Sequence, residues 1–362
     1  MLYYLLYPLR EYSIFFNIFK YITFRAVGAS VTAFLLSVLL GPLVIKWLTK
    51  LSVVNATQRE YAEKIHSFYA AKGTVPTMGG ILIAGSLVLA DLLWGNLENR
   101  FLLLSLLVVI WFGAIGFIDD LLKLKNKNTR GLSSLVKLIG QLILGIAIGS
   151  YLYLDPTFSK FLYVPFFKGA LIALGVWFIP FVVLVLVGTS NALNLTDGLD
   201  GLAVGCLAFA AGAFSILTYL AGRADFARYL GIPFVAGSSE LAVFCASLVG
   251  AGVGFLWYNS YPATVMMGDT GSLSLGGGLG VVAILIKSEL VLLVVGGIFV
   301  WEALSVMIQV FSYRVFGKRV FLMSPFHHHL QLMGWPESKV TIRLWIIAFI
   351  LALIGLSTLK LR

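Results

Sequence analysis

Asn191-Ala192-Leu193-Asn194-Leu195-Thr196-Asp197-Gly198-Leu199-Asp200-Gly201 is a polar island between two runs without a single charge, residues 169–188 and 201–221. Each run is about 20 residues long, the length an α-helix needs to cross the hydrocarbon core of a bilayer. A surface helix of a soluble domain would show one polar face, and neither run has one. Working outward, the same test finds ten candidate spans at about 22–46, 77–95, 100–118, 132–153, 169–188, 201–221, 239–257, 271–287, 289–313 and 341–359. Only Lys287-Ser288-Glu289 separates the eighth from the ninth. The fold class expected is therefore an all-α integral membrane protein of about ten transmembrane helices, one polytopic domain over residues 1–362.

Composition agrees. Of 362 residues, 60% are hydrophobic and 12% charged, with a mean hydropathy of +0.97, too little polar surface for a soluble chain of this size. The net charge of +10 suits cytoplasmic loops, anionic lipid or a phosphorylated substrate. No basic amphipathic or aromatic-basic stretch stands clear of the apolar runs, so nucleic acid is not an expected partner. Cys206 and Cys245 both lie in apolar runs and read as packing residues. Residues 1–20 lack a basic start and a small-residue cleavage site, which favours an interfacial segment over a cleaved signal peptide.

Loop charge sets the expected orientation. Loops after odd-numbered spans carry Arg59, Lys64, Lys72, Lys123, Lys125, Lys127, Arg130, Arg314, Lys318, Arg319 and Lys339. Loops after even-numbered spans carry fewer: Arg100, Lys160, Lys168, Arg223, Arg228 and Lys287. The bias places the odd loops in the cytoplasm and both termini in the periplasm. Small residues within spans, such as Gly250 to Gly254 and Gly276 to Gly280, read as close helix packing. Gly296-Gly297 falls inside the ninth span and permits a bend; Glu302 follows as an intramembrane carboxylate, either functional or paired with a neighbouring helix.

The polar chemistry falls after odd spans. Asn191, Asn194, Asp197 and Asp200 recur every third residue, so a helical turn would place them along one face, and Gly198 and Gly201 let a ligand approach backbone. One helix cap would explain one of these groups, not four. Asp119 and Asp120 sit together at a helix C-terminus, where like charge and the helix dipole both oppose them. The following lysines neutralise them in a solvated loop, or a hard divalent cation such as Mg²⁺ does. Asp269, between Gly268 and Thr270-Gly271-Ser272, opens the eighth span, where a helix start either is merely capped or receives phosphate. His327-His328-His329 are poorly spaced for a tetrahedral zinc and have no thiol partner, so phosphate binding or acid–base work is the better reading. Lys72 and Thr77 form a basic, hydroxyl-bearing entry to the second span. Five segments scattered over more than two hundred residues thus share one face, with nothing comparable expected on the other.

Together these segments resemble the bacterial phospho-N-acetylmuramoyl-pentapeptide-transferase family nearly end to end, from Tyr21-Ile22-Thr23-Phe24-Arg25-Ala26 to Leu361-Arg362. The 191–201 stretch is very specific, and the triple histidine sets the family apart from sister transferases that use other sugar nucleotides. The resemblance implies a homodimer in the bacterial inner membrane with an active site on the cytoplasmic face. It implies transfer of phospho-MurNAc-pentapeptide from UDP-MurNAc-pentapeptide to undecaprenyl phosphate, giving lipid I and UMP, with Mg²⁺ as cofactor. By the same resemblance Asp269 is the principal metal ligand, and Asp119 and Asp120 the essential acidic pair, either of which can share the metal. Asp119 is the one expected to act on the lipid phosphate. Lys72, Asn191, Asp197, Gly198, Leu199, Asp200, Asn259 and Gln309 match nucleoside- and sugar-binding positions. Asn194, Lys123, Lys127 and Lys137 match positions supporting phosphates or metal.

The chain departs from its relatives in two places. Met266 stands where they commonly carry a phenylalanine that stacks on uracil, so weakened stacking is expected. Val75 replaces a frequent Thr, and residues 61–71 lack the usual Pro-Glu-Ser-His run. Two rival functions remain. A sister enzyme would move N-acetylhexosamine 1-phosphate, which a comparison of sugar nucleotides would reveal. A secondary transporter would hold its ionisable residues near the bilayer midplane rather than at span ends.

Overall fold

A computed structural model describes residues 1–51, 75–125, 131–165 and 171–359. Among them, nine helices are long and apolar enough to cross a membrane. In chain order the principal helices are α1 (Ile22–Leu51), α2 (Gly80–Trp94), α3 (Arg100–Lys125) and α4 (Ser134–Leu154), then α5 (Phe178–Thr196), α6 (Leu202–Ala221), α7 (Leu241–Asn259) and α8 (Gly268–Leu285). The chain continues through α9 (Glu289–Val295), α10 (Gly297–Phe316), the short α11 (Phe326–Leu332) and α12 (Glu337–Ser357).

Three of the expected spans differ. The second, α2, has 15 residues, so at about 1.5 Å per residue it is shorter than a hydrocarbon core of roughly 30 Å. Its buried approach, Pro76, Met78 and Gly79, is not helical because it pairs with another loop: Gly79 N donates to Met266 O at 2.9 Å and Met266 N to Pro76 O at 2.9 Å. The fifth begins late. Leu171–Ala173 forms a strand antiparallel to Phe161–Tyr163, and a turn at Gly175, with φ +51°, precedes the helix. That strand pair satisfies backbone groups where the apolar run alone suggested helix. The ninth is broken at Gly296, which ends α9 and starts α10, as the Gly296-Gly297 pair predicts.

α8 is the centre of the bundle, every residue from Thr270 to Leu285 being buried. It packs against α3 and α5, while α7 packs against α1 and α6. Apolar side chains gain little by leaving lipid for one another, so close approach at small residues holds such helices together. A β-carbon on Gly250 would lie 2.0 Å from Ser30 O, and one on Gly276 would lie 2.7 Å from Thr189 O. The glycine runs are packing surfaces, as read. Cys206 and Cys245 are free and buried.

The far end of the bundle holds buried ion pairs. Opposite the polar segments, Arg25 at the start of α1 pairs with Glu240 beside α7, both nearly inaccessible, with Arg25 Nη2 to Glu240 Oε2 at 2.9 Å. Lys287 and Glu289 pair at 2.8 Å in the α8–α9 turn, and the Lys287 ammonium also lies over Phe158 and Phe178. These charges are closed on one another. The Arg25–Glu240 pair was invisible in sequence because its partners lie 215 positions apart. The N-terminal segment, including the helix Leu2–Leu6, is tied to this end: the Met1 amine donates to Leu92 O at 2.7 Å and Leu93 O at 3.0 Å.

Candidate active site

Three carboxylates from two helices converge where the last turns of α3 meet the start of α8; α3 runs on to Lys125, so Asp119 and Asp120 lie within the helix and not at its C-terminus as expected. Asp119, Asp120 and Asp269 each offer an oxygen within 4.8 Å of the others. Glycine makes this possible. Gly268 has φ +75°, and a β-carbon there would lie 2.9 Å from Asp120 Oδ2. Asp120 faces the start of α8, where its Oδ2 accepts from Thr270 N at 2.9 Å and Thr270 Oγ1 at 2.8 Å. Its Oδ1 accepts from Asp269 N at 3.3 Å. Asp120 thus caps α8, satisfying N–H groups that a helix start leaves open.

Two lysines answer the charge. Lys123, one turn after Asp119, places Nζ 2.5 Å from Asp119 Oδ2 and 3.2 Å from Asp269 Oδ2. Lys137, on α4, bridges Asp119 Oδ1 at 3.2 Å and Asp269 Oδ2 at 2.9 Å. Leu132 N donates to Asp119 Oδ1 at 2.7 Å, which draws the α3–α4 connection over the cluster. Asp119 is fully buried and Asp269 the most open of the three, its side chain 14% exposed. Three carboxylates against two ammoniums leave one negative charge, and the donors are all hard oxygens. That set fits Mg²⁺ and does not fit a thiol- or imidazole-preferring metal.

The Asn/Asp ladder runs away from this cluster along the end of α5. Ser272 Oγ, on α8, donates to Asn194 Oδ1 at 3.0 Å, linking ladder to acids. Asn191 donates to Gln141 Oε1 at 2.9 Å and to Val187 O at 2.8 Å. The helix stops at Thr196, with Asp197 as its cap, so the four groups do not share one helical face. Asn191 and Asn194 lie on the last turns; Asp197 and Asp200 belong to the loop that follows. Asp200 Oδ2 accepts from Ala263 N at 3.0 Å, and Asp200 N donates to Glu337 Oε1 at 2.8 Å. The loop is therefore stapled to both the α7–α8 connection and α12. Leu199 is buried beneath it. Asn259 is another staple, accepting from Gly201 N at 3.1 Å and donating to Val265 O at 2.8 Å.

α11 brings the histidines to the far end of the ladder. His327 is buried against Gly198, where a β-carbon would lie 2.2 Å from its Nε2. Its Nδ1 lies 3.2 Å from Glu302 Oε2 on α10. His328 Nδ1 meets Gln331 Oε1 at 2.9 Å, and His329 Nδ1 accepts from Leu322 N at 3.2 Å. The rings of His327 and His328 pack edge to face with centroids 4.2 Å apart, while the Nδ1 atoms of the three histidines face different groups. Gln309 holds the α10–α11 loop, donating to Phe321 O at 3.0 Å and accepting from Val320 N and Phe321 N. Met266 and Thr77 are half-buried neighbours across the paired loops. Lys72 and Lys127 lie outside the described residues.

Sequence reasoning missed Thr270, Gln141 and Glu337, each of which holds a predicted residue in place. Nothing local marks Gln141 or Glu337. The hydroxyl after Asp269 at a helix start was the available signal for Thr270.

Fold and site define a multi-pass helical membrane protein with a cluster of three carboxylates and two lysines at one end of its bundle. The glycosyl transferase family 4 profile matches residues 102–287, which includes Asp119, Asp120, the ladder and Asp269. The phospho-N-acetylmuramoyl-pentapeptide-transferase of Citrifermentans bemidjiense is 52% identical over 362 residues, covering all of both chains. Those of Geobacter sp. strain M21 and Solidesulfovibrio magneticus are 52% and 50% identical, again over the whole of both chains. The chain belongs to the phospho-N-acetylmuramoyl-pentapeptide-transferase family.

Proposed function

We propose that this protein transfers phospho-MurNAc-pentapeptide from UDP-MurNAc-pentapeptide to undecaprenyl phosphate, releasing UMP and forming lipid I, the first membrane step of peptidoglycan synthesis. The observation that carries the reading is the convergence of Asp119, Asp120 and Asp269 with Lys123 and Lys137, beside a ladder of amides and carboxylates. A diphosphate brings charge that ammoniums balance, and the sugar and base bring groups that amides and carboxylates bind.

Asp269, with Asp119 or Asp120, would hold Mg²⁺, which when bound neutralises the diphosphate and improves UMP as a leaving group. The chain's own residues do the rest. Lys123 and Lys137 orient the phosphates and balance the charge that gathers in an in-line displacement. Asp120 is committed to the start of α8 and positions Asp269. A lipid phosphate needs to lose at most its last proton, so the part of Asp119, ion-paired with Lys123 and Lys137, is to align the attacking oxygen. Direct attack by the lipid phosphate is favoured over a covalent aspartyl-phosphate.

The loop charge bias supports a cytoplasmic site and periplasmic termini, with α2 completing ten crossings in the inner membrane. A homodimer is the assembly expected of the family. The experiment is a UMP-release assay on purified protein with UDP-MurNAc-pentapeptide and UDP-N-acetylglucosamine in parallel. UMP should appear only with the first donor, undecaprenyl phosphate and Mg²⁺ together. Release from the second alone would make the chain a sister transferase, and uptake of nucleotide sugar into proteoliposomes without UMP release would make it a transporter.

A further inference from the structure

Gln141 is buried on α4, one turn beyond Lys137. Lys137 reaches Asp119 and Asp269; Gln141 reaches α5 instead. An amide inside a span earns its place by bonding across helices. Its Nε2 donates to Ser190 Oγ at 3.1 Å, and its Oε1 accepts from Asn191 Nδ2 at 2.9 Å. Ser190 Oγ, itself buried, donates to Leu273 O on α8 at 3.1 Å. Asn191 Nδ2 also donates to Val187 O at 2.8 Å. The chain of bonds thus joins α4, α5 and α8, and it meets α8 one turn after Asp269.

Both ends of this chain are main-chain carbonyls, which can only accept, and that fixes its direction. Ser190 has one hydroxyl proton and gives it to Leu273 O, so the end of Gln141 that meets Ser190 Oγ must be the nitrogen. The other end of Gln141 is then the oxygen, which calls for a donor from Asn191; Val187 O calls for a second. Turning either amide over would set acceptor against acceptor. Both Nδ2 protons of Asn191 are therefore committed, and its Oδ1 has no hydrogen-bond partner among the described residues. Asn191 is half-buried and stands one turn before Asn194, which Ser272 joins to the acidic cluster. We propose that Gln141 is a positioning residue: with Ser190 it holds Asn191 so that only its carbonyl oxygen meets the ligand, which selects a hydrogen-bond donor, a hydroxyl or N–H, on the nucleotide sugar. A freely turning asparagine would take a donor or an acceptor; this one refuses an acceptor. That the ligand is a nucleotide sugar rests on the function proposed above; the direction of the chain does not.

Two measurements test this. In ¹⁵N NMR of the full-length protein with labelled asparagine, the Asn191 side-chain signal, identified by its loss in Asn191→Asp, should show both Nδ2 protons protected from exchange with water. Protons that exchange as fast as those of an exposed asparagine overturn the proposal. This readout needs no substrate and no Gln141 variant that folds. In steady-state UMP release, Gln141→Met should raise KM for UDP-MurNAc-pentapeptide by about fivefold or more, with smaller changes in kcat and in KM for undecaprenyl phosphate. Ser190→Ala leaves both Asn191 side-chain bonds in place, so a purely local role for Gln141 would spare KM, whereas a directed chain predicts a rise here too. The double variant should be no worse than Gln141→Met by more than about twofold, because both changes cut the same chain. Additive losses, an unchanged KM in either single variant, or a fall in kcat alone overturns the positioning role. If the wild-type chain releases no UMP from this donor, the proposed function fails while the orientation of the amide stands on the NMR result.

Discussion

The main-chain oxygen of Asp269 lies 2.2 Å from where a β-carbon on Gly116 would sit, so α3 and α8 meet backbone to backbone just below the three carboxylates. This contact sets the spacing of Asp119 and Asp120 against Asp269. Gly116→Ala must push the helices apart, at a cost of about 1–3 kcal/mol for overpacking. The expected outcome is a lowered Tm in detergent together with at least a tenfold loss of UMP release, about 1.4 kcal/mol. A variant with normal turnover would show that the acidic cluster tolerates a looser fit.

Asp269 has the most open carboxylate of the cluster and touches both lysines. Asp269→Asn keeps the shape and removes the charge. Mg²⁺-dependent UMP release should fall by more than about a hundredfold, beyond the 10–100-fold typical of losing an outer partner of a metal ligand. The half-saturating Mg²⁺ concentration should rise. Near-wild-type turnover would end the metal assignment.

Lys137 bridges Asp119 and Asp269 from α4. Its removal should separate phosphate binding from metal binding. Lys137→Ala is expected to lose about 2–4 kcal/mol of transition-state stabilisation, roughly 30- to 900-fold in turnover. Taking a cation away from the carboxylates should leave Mg²⁺ affinity equal or tighter. A magnesium titration of UMP release separates this variant from Asp269→Asn.

At the other end of the bundle, Glu240 binds Arg25 and also accepts Asn96 N at 2.7 Å. Arg25→Ala would leave a buried carboxylate uncompensated, a defect that costs about 3–5 kcal/mol in comparable sites. Thermal unfolding in detergent should show a large drop in Tm. The surviving folded fraction should keep its KM and its Mg²⁺ dependence, since neither residue approaches the acidic cluster.

Met266 offers a thioether where relatives commonly present an aromatic face. Met266→Phe should tighten UMP inhibition by at least roughly fivefold, about 1 kcal/mol, the low end for stacking of a base on an aromatic ring. Unchanged inhibition would mean that the uracil is not seated on residue 266.

Much of the site was legible because its chemistry is concentrated in short segments. Asp119-Asp120, the 191–201 stretch and Gly268-Asp269 announce themselves through charge where apolar runs should continue. Their number and spacing did not reveal how each is used. Asn259 and Gln309 match nucleoside- and sugar-binding positions by resemblance, and only the structure shows that each amide also bonds backbone. The ladder reads as one helical face, yet the helix ends at Thr196 because Asp197 and Gly198 leave helical geometry and Asp200 is drawn to Ala263 and Glu337. Helix boundaries failed in the same way at Leu171–Ala173 and Gly79, where backbone pairing with a distant segment outweighed apolar propensity.

By itself the sequence determined that this is a helical membrane protein with its polar chemistry at span ends. Uncharged runs of about 20 residues have few other ways to satisfy their backbone in lipid. It also marked the break at Gly296 and the family to which the chain belongs. Only the tertiary structure decided that Asp269 meets Asp119 and Lys137, that Arg25 meets Glu240, and that Glu302 lies beneath His327. Those pairings join residues up to 215 positions apart, and they depend on which glycine faces which backbone when the helices pack. Local periodicity carries no information about that.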